Sequence, residues 1–262
     1  MTKDLVGRRA VVTGASSGLG ADFARDLARR GAGLVLVARR RDRLEELAAD
    51  LRARHGIDVK VHAADLTDPG VPETLFRKLN FDGWDIDILV NNAGFGIYGN
   101  FLDSEWRDID RMLRLDIASL VQMTRVFAPA MVQRGWGRVL QVASIGAFQP
   151  SPGYAAYAAA KSFVLSFGEA LAYEWKGTGV TCTVVSPGVT ETEFLQVAGH
   201  HDRSWYQKAT MMDSPVVARQ GIEAMIAGRP GVVTGLVNKV GAFSTRLVPR
   251  RLQAAIAAMA MK

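Results

Sequence analysis

Two side chains of complementary chemistry, Tyr157 and Lys161, lie four residues apart, and Ser144 lies a short distance upstream. On a helix this spacing places the phenol and the ammonium on one face, so that they can share a pocket. A tyrosine that donates protons near neutral pH needs its pKa lowered by about 3 units, or about 4 kcal/mol, and a nearby cation does this most directly. A serine hydroxyl can hold a carbonyl oxygen while the tyrosine protonates it. The three side chains therefore indicate chemistry at a carbonyl group, although Tyr and Lys at this spacing are also common on amphipathic helices.

A glycine-rich segment, Thr13–Gly20, lies between a predicted strand and a predicted helix. Glycine there lets the backbone approach phosphate oxygens, and the helix N-terminus supplies N–H groups. Part of the segment, Gly14–Gly18, also matches the G-x-S-x-G nucleophile elbow of hydrolases. An elbow serine needs an oxyanion loop from an earlier strand, and too little chain precedes Ser16 to supply one. Phosphate binding is therefore favoured over hydrolysis.

Apolar runs and helical periods alternate along the chain, which predicts a parallel sheet wrapped by helices. The predicted strands span residues 9–13, 34–38, 59–63, 86–91, 139–143, 180–186 and 232–234. No Pro-rich or Ser-rich linker divides the sequence, so residues 1–262 are predicted to form one domain.

One continuous helix is predicted between the fourth and fifth strands, and Asp116 falls on its apolar stripe. The stripe runs through Ile109, Leu113, Ile117, Leu120, Thr124, Phe127 and Met131. Burying a carboxylate without a partner is costly, so Asp116 needs either a structural salt bridge or a functional role.

The bulk composition, 48% hydrophobic and 22% charged, is typical of a soluble globular protein. No apolar run approaches the roughly 20 residues of a membrane span, and no signal-peptide core is evident, so a cytoplasmic protein is predicted. The single cysteine, Cys182, excludes an internal disulfide framework. The four histidines lack metal-ligand spacing, and no metal site is predicted.

The net charge of +6 is concentrated at the C-terminal end, where no Asp or Glu follows Glu223. The basic residues there are Arg229, Lys239, Arg246, Arg250, Arg251 and Lys262. This can be a solvated basic face. The apolar stretches between them, within residues 236–262, also suit peripheral attraction to anionic lipid or to an acidic carrier. No nucleic-acid-binding motif accompanies the charge.

Six motifs in order together resemble the short-chain dehydrogenase/reductase family. They are Thr13-Gly14-x-x-x-Gly18-x-Gly20, Asp65-Leu66, Asn91-Asn92-Ala93-Gly94, Ser144, Tyr157-x-x-x-Lys161 and Pro187-Gly188. The match runs from about residue 7 to 195, and the remainder fits the family's variable C-terminal region. The resemblance implies an α/β fold with a doubly wound Rossmann-type sheet of about seven parallel strands, which binds a nicotinamide cofactor at the strands' C-terminal ends.

The resemblance also implies roles for individual residues. Ser144, Tyr157 and Lys161 are the expected catalytic set, with Tyr157 as the acid in reduction and Lys161 also on the nicotinamide ribose. Asp116 stands at the fourth catalytic position, where the family usually has Asn. The remaining expected cofactor contacts are Gly14, Ser16, Ser17, Gly18 and Leu19 at the pyrophosphate, Asp65 and Leu66 at adenine, Asn92, Ala93 and Gly94 near the ribose, and Pro187, Gly188, Val189 and Thr192 at the nicotinamide amide.

The second predicted strand is followed by Arg39 and Arg40, where an acidic residue would be expected for the 2′-hydroxyl of NAD. Arginine pairs instead with a 2′-phosphate, so NADP(H) is predicted, although these arginines can also be solvated charges at a helix start. Because NADPH is kept reduced in cells, the expected direction is carbonyl to alcohol.

The predicted substrate region is rich in aromatic residues and methionine, which indicates an apolar, adaptable pocket. It comprises Phe95, Ile97, Tyr98, residues 145–154, and a loop or helix at residues 194–214 with Trp205, Met211 and Met212. A narrower alternative is a reductase of 3-oxoacyl-carrier or lipid ketones. An alternative of another class is a catalytically impaired NADP(H)-binding regulator or scaffold. By resemblance, a homodimer or homotetramer is expected, formed through the helices that carry Asp116 and Tyr157.

Overall fold

A seven-stranded parallel sheet organises the described part of the chain. A computed structural model describes residues 3–190, 193–199 and 210–260. The strands are β1 (Arg9–Thr13), β2 (Gly33–Ala38), β3 (Val59–Ala63), β4 (Ile88–Asn91), β5 (Gly137–Val142), β6 (Val180–Ser186) and β7 (Gly231–Val233). Their order, β3-β2-β1-β4-β5-β6-β7, confirms the predicted doubly wound Rossmann-type fold.

Helices cover both faces of this sheet. They are α1 (Gly18–Arg29), α2 (Arg41–His55), α3 (Val71–Phe81), α4 (Trp106–Leu113), α5 (Leu120–Gln133), α6 (Ala155–Glu174), α7 (Phe194–Val197), α8 (Ser214–Ile226), α9 (Leu236–Ser244) and α10 (Arg250–Ala260). Val12 of β1 belongs to a core cluster shared with α1, α2 and α8, whereas Val11 belongs to one shared with α3 and α5. Strands covered on both sides read as continuous apolar runs, which is why they were visible in the sequence.

Some predicted strand ends were wrong by one or two residues. The strand predicted from Ile86 begins at Ile88, and the carboxylate of Asp87 just before it accepts a hydrogen bond from the backbone N–H of Arg9. β5 begins at Gly137, which pairs with Val180 at the start of β6.

The long helix predicted before β5 is present as the continuous helical stretch Trp106–Gln133, but it is not α-helical throughout. A π-helical turn, Arg114–Ser119, separates α4 from α5. The wider turn shifts the helical register, so that Met112 and Asp116 are buried while Leu113 and Ile117 are only half-buried. The turn therefore aims the Asp116 side chain into the protein.

The helical stretch Trp106–Gln133, which contains this turn, is long and apolar enough by length and composition to cross a membrane. It is the one stretch with that property in the described part of the chain. In its most apolar window 44% of the residues are buried, and α5 packs against β4 and β5. A core helix of a folded domain can have the same length and apolar composition as a membrane-spanning helix, so these two properties do not distinguish the two.

Candidate active site

A cavity of about 900 Å³ opens at the carboxyl ends of the strands, beside the point where the strand order reverses between β1 and β4. This crevice is where doubly wound sheets bind ligands. Of the predicted site residues, the following line it: Gly14, Ser16, Ser17, Gly18, Leu19, Arg39, Arg40, Asp65, Leu66, Asn92, Ala93, Gly94, Ser144, Tyr157, Lys161, Pro187, Gly188 and Val189. Asp116 lies behind the wall, and Thr192 lies outside the described residues.

The glycine turn brings the N-terminus of α1 to the floor of the cavity. Gly14 and Gly18 have φ angles of 68° and 49°, a left-handed conformation that glycine adopts without strain. Gly20 lies so close to the turn that a Cβ there would clash with the carbonyl oxygen of Gly14. The exposed first N–H groups of α1 thus face a space that suits an anionic group such as a pyrophosphate.

Thr13 and Asn92 join the two strands that flank the crevice. The Thr13 hydroxyl oxygen accepts hydrogen bonds from the backbone N–H groups of Asn92 (2.9 Å) and Ala93 (3.0 Å). The Asn92 side-chain amide donates to the carbonyl oxygen of Thr13 at 2.9 Å. These bonds fix the loop after β4 against the glycine turn, and so set the width of the crevice.

Tyr157 and Lys161 project from α6 towards Ser144, which ends the segment after β5. A hydrogen bond joins the hydroxyl groups of Ser144 and Tyr157, and the Lys161 Nζ lies 5.7 Å from the centroid of the Tyr157 ring. Lys161 is 4% exposed and donates to the carbonyl oxygen of Val142 at 3.1 Å. The predicted helical pairing therefore occurs, and it lies within the cavity.

Asp116 is the direct partner of Lys161. Its Oδ2 lies 3.0 Å from Lys161 Nζ, and its Oδ1 accepts a hydrogen bond from the backbone N–H of Phe95 at 3.1 Å. Burial raises the pKa of the Asp116 carboxyl, and the adjacent Lys161 opposes that shift. A Cβ on Gly94 would lie 2.9 Å from either carboxylate oxygen, so the loop above has room only for glycine. The salt bridge considered from the sequence is present.

The expectation that Lys161 lowers the pKa of Tyr157 was wrong for the protein alone. Burial raises the pKa of Tyr157, the Asp116 charge raises it further, and only the hydrogen bond from Ser144 opposes these effects. The physical reason is that Asp116 stands closer to Lys161 than the phenol does, so the carboxylate offsets the ammonium charge. Tyr157 is therefore a weaker acid in the protein alone than a free tyrosine side chain.

The two arginines after β2, Arg39 and Arg40, differ in how many side chains they contact. Arg40 donates to the hydroxyl groups of Ser16 (3.2 Å) and Ser17 (2.6 Å) and pairs with Glu193 at 3.0 Å. Arg39 is more exposed, and its guanidinium lies 3.9 Å from Asp65. Both line the cavity, where a phosphate would compete with the distant Asp65 carboxylate for Arg39 and with the closely paired Glu193 carboxylate for Arg40.

Aromatic rings form the wall in front of Tyr157. The Tyr157 ring centroid lies 5.8 Å from that of Tyr154 and 5.3 Å from that of Phe194, and Tyr154 lies 5.1 Å from Tyr98. Of the other predicted pocket residues, Phe95 and Ile97 line the cavity, whereas Tyr98 contacts Tyr154 but does not line it. Trp205 lies outside the described residues.

The prediction that Met211 and Met212 line the substrate pocket was wrong, because neither belongs to the cavity wall in the described part of the chain. The backbone N–H of Met212 donates to Val189, and its sulfur lies 3.9 Å from the amide of Asn238. Met212 therefore packs behind the wall, under α9.

Glu193 and Asn238 line the cavity but were not predicted. Asn238 is 2% exposed, its amide donates to Thr234, and its Oδ1 has no hydrogen-bond partner among the described residues. In the sequence, a single asparagine within the apolar stretch of α9 is the feature that could have indicated Asn238 as a site residue. Glu193 gave no local signal, because its partners are distant in sequence.

The fold, the glycine turn and the crevice define a Rossmann-type dinucleotide-binding protein. The short chain dehydrogenase family profile matches residues 8–203. The chain therefore belongs to the short-chain dehydrogenase/reductase family of oxidoreductases, which act on CH–OH and C=O groups.

Individual relatives agree with this family. A short-chain dehydrogenase from Sphingobium yanoikuyae, solved in complex with NADPH, is 32% identical, has a TM-score of 0.82, and aligns over 92% of this chain and 93% of its own. Nodulation protein G of Rhizobium sp. (strain N33) is 32% identical over 92% of this chain and 94% of its own length. The very-long-chain 3-oxoacyl-CoA reductase of Anas platyrhynchos is 32% identical over 74% of this chain, which spans 63% of that enzyme's length.

Proposed function

We propose that this protein is an NADPH-dependent reductase that converts an apolar ketone or aldehyde to an alcohol. The observation that carries the proposal is the placement of Ser144, Tyr157 and Lys161 together in a cavity that begins at the glycine turn. When bound, the reduced nicotinamide supplies a hydride to the carbonyl carbon. The residues of the chain must then bind the carbonyl and deliver one proton to its oxygen.

The roles of the three residues follow from their chemistry. The Ser144 hydroxyl holds the carbonyl oxygen beside Tyr157, and the Tyr157 phenol transfers its proton to that oxygen as negative charge develops. The C=O bond becomes CH–OH, and Tyr157 is left as a phenolate. Lys161, whose Nζ lies 5.7 Å from the centroid of the Tyr157 ring, would stabilise that phenolate and would also hold the nicotinamide ribose. The end of α6 at the cavity thus carries both the proton donor, Tyr157, and the cation that stabilises its phenolate, Lys161.

Tyr157 holds the proton that reduction requires, because burial raises its pKa. The proposed direction rests on the cofactor, since NADPH is kept reduced in cells. The aromatic wall in front of Tyr157 favours a substrate with apolar groups beside the carbonyl.

The cofactor is proposed to be NADPH because Arg39 and Arg40 follow β2 and line the cavity, and arginine can pair with a 2′-phosphate. We expect Arg39→Ala to raise the KM for NADPH about 10- to 100-fold, which corresponds to the loss of one charge-assisted hydrogen bond. The KM for NADH should change less than about threefold, since NADH has no 2′-phosphate. Steady-state kinetics with both cofactors measure this.

Arg41→Ala is the matched control for Arg39→Ala, because Arg41 is adjacent, pairs with Glu45 and does not line the cavity. Glu193→Gln should lower the KM for NADPH, since it removes a carboxylate that competes for Arg40. An equal preference for NADPH and NADH in the wild type and in Arg39→Ala would contradict the assignment.

The reductase proposal is tested by following NADPH absorbance against a panel of steroids, acyl ketones, quinones and sugars. We expect turnover with at least one apolar ketone. Tight NADPH binding without any turnover across the panel would instead favour the alternative, a regulator or scaffold. The intact Ser144, Tyr157 and Lys161 argue against that alternative.

The first substrates to test are 3-oxoacyl thioesters and other lipid ketones, because the relative from Anas platyrhynchos is named for such a substrate.

Association into a homodimer or homotetramer is proposed through the helical stretch Trp106–Gln133, which carries Asp116, and through α6, which carries Tyr157. Trp106 on α4 is 68% exposed, and Phe163 on α6 is 40% exposed, so both helices present large apolar groups to a partner.

A further inference from the structure

The helix α9 turns its large apolar side chains outward. Leu236, Val240, Phe243 and, just beyond the helix, Leu247 recur on one face and are 60% to 78% exposed. The face turned towards the protein carries the small or polar residues Asn238 and Ala242, which are buried. This orientation is the reverse of that of an ordinary surface helix, whose apolar stripe faces the core.

The helix α10 has the same reversed orientation. Leu252, Ile256 and Met259 are 55%, 47% and 65% exposed, while Gln253 and Ala257 are buried. The Gln253 amide donates to the carbonyl oxygens of Thr245 (2.7 Å) and Val248 (2.8 Å), which fastens α10 to the end of α9. These hydrogen bonds tie the start of α10 to the segment that follows α9, and both helices present apolar stripes outward. Single exposed apolar residues are normal on proteins, but a set of this size marks an interaction surface.

Positive charge surrounds these stripes. Lys239, Arg246, Arg250 and Arg251 are exposed between the apolar residues, and no Asp or Glu follows Glu223 in the sequence. An apolar face bordered by Lys and Arg without acidic residues is complementary to an anionic lipid surface, where apolar groups enter the acyl boundary and cations meet headgroups.

We propose that α9 and α10 form a docking face for an anionic bilayer surface. We define the docking face as the outward apolar and basic residues Leu236, Lys239, Val240, Phe243, Arg246, Leu247, Arg250, Arg251, Leu252, Ile256 and Met259. Neither helix has the roughly 20 residues that a membrane span needs, so both lie along the surface. A symmetric contact with a second copy of this chain would bring the same positive patch against itself, which charge repulsion opposes.

The docking face continues into the cavity described above. Ile256 is half-exposed on the outward stripe and also lines the cavity, together with the adjacent Ala257. Docking would therefore place the rim of the cavity at the lipid surface. This consequence rests on the proposed reductase function, whereas docking itself does not.

Vesicle flotation tests the docking face without any need for turnover. The probes are vesicles of phosphatidylcholine alone and vesicles with one third phosphatidylglycerol, at low and high salt. We expect the wild-type protein to float with the anionic vesicles only and to be released by high salt. Phe243→Glu should weaken that binding at least about tenfold, because it places a negative charge in the apolar stripe. Circular dichroism establishes that the variant is folded.

Phe81→Glu is the matched control, since Phe81 is 92% exposed at the end of α3, away from the docking face. It should bind anionic vesicles as the wild type does. Failure of the wild type to bind anionic vesicles, or equal loss of binding in the two variants, overturns the proposal. Two other results also overturn it if the wild-type protein does not bind vesicles. One is that an immobilised acidic acyl carrier protein retains the wild type, and the other is that Phe243→Glu dissociates a dimer of this chain.

Discussion

Replacing Tyr157 with phenylalanine is expected to lower carbonyl reductase turnover by about 1000-fold, within the range that a positioned proton donor contributes. The variant keeps the ring and its contacts with Tyr154 and Phe194, and it loses only the hydroxyl that meets Ser144. The alkoxide that develops would then have no adjacent donor. Single-turnover kinetics with NADPH and a ketone from the panel measure the loss.

NADPH binding separates loss of chemistry from loss of the cofactor site. Fluorescence titration should give a dissociation constant within about threefold of the wild-type value, because the glycine turn and Arg39 are untouched. Tyr173→Phe is the matched control, since Tyr173 lies on the same helix but is 72% exposed. It should keep full turnover. A Tyr157→Phe variant that retains more than about a tenth of wild-type turnover would show that another group supplies the proton.

Lys161→Met is expected to destabilise the fold by about 3–5 kcal/mol at neutral pH, as is typical when one partner of a buried ion pair is removed. Asp116 is completely buried, and its Oδ2 would lose the only cation close to it in the described part of the chain. The free energy of unfolding, from urea titration monitored by circular dichroism, measures this effect.

The pH dependence of that loss has a definite sign. Burial raises the folded-state pKa of Asp116, and removing Lys161 raises it further, above the unfolded value of about 4. A raised folded pKa adds stability that is present below the unfolded pKa and is lost as pH rises through the folded pKa. The destabilisation of Lys161→Met should therefore be greatest at neutral pH and shrink as pH falls through the raised folded pKa.

The double variant Lys161→Met/Asp116→Asn tests the origin of the loss. Removing the orphaned charge should recover more than half of the lost stability at neutral pH, although turnover stays low without Lys161. If the double variant is as unstable as the single one, the loss reflects packing of the lysine side chain and not the uncompensated carboxylate.

Asp116→Asn alone is expected to retain or raise turnover, and to shift the basic limb of the pH–rate profile to lower pH. The Asp116 charge is one cause of the raised pKa of Tyr157, so its removal lowers that pKa. A large loss of turnover in a folded Asp116→Asn variant would show that the carboxylate has a role of its own.

The sheet and most of the cavity wall could be predicted because they depend on local sequence. Buried parallel strands such as Arg9–Thr13 and Val180–Ser186 are apolar along their whole length, and their predicted bounds agree with the structure. The glycine turn was recognisable because only glycine tolerates its backbone angles and close approach.

The features that escaped prediction depend on contacts between distant segments. The π-helical turn that holds Asp116 has no distinct residue pattern, and its aspartate is satisfied by Lys161 on another helix. Glu193 pairs with Arg40 across the cavity. Such pairings are set by the tertiary fold. For this reason the sequence indicated Asp116 as a site residue, but not that its carboxylate would lie beside Lys161 and offset the effect of that cation on Tyr157.

The parallel order of the sheet also governs how the protein forms during synthesis. β1 pairs with β2 early, but its other edge waits for β4, whose Leu89 pairs with Val11. Distant pairings of this kind form slowly, and an unpaired strand edge is prone to aggregation. The crevice is therefore completed only when β4 pairs with β1. A dinucleotide that contacts residues on both sides of the crevice would then stabilise the folded state over partly folded precursors.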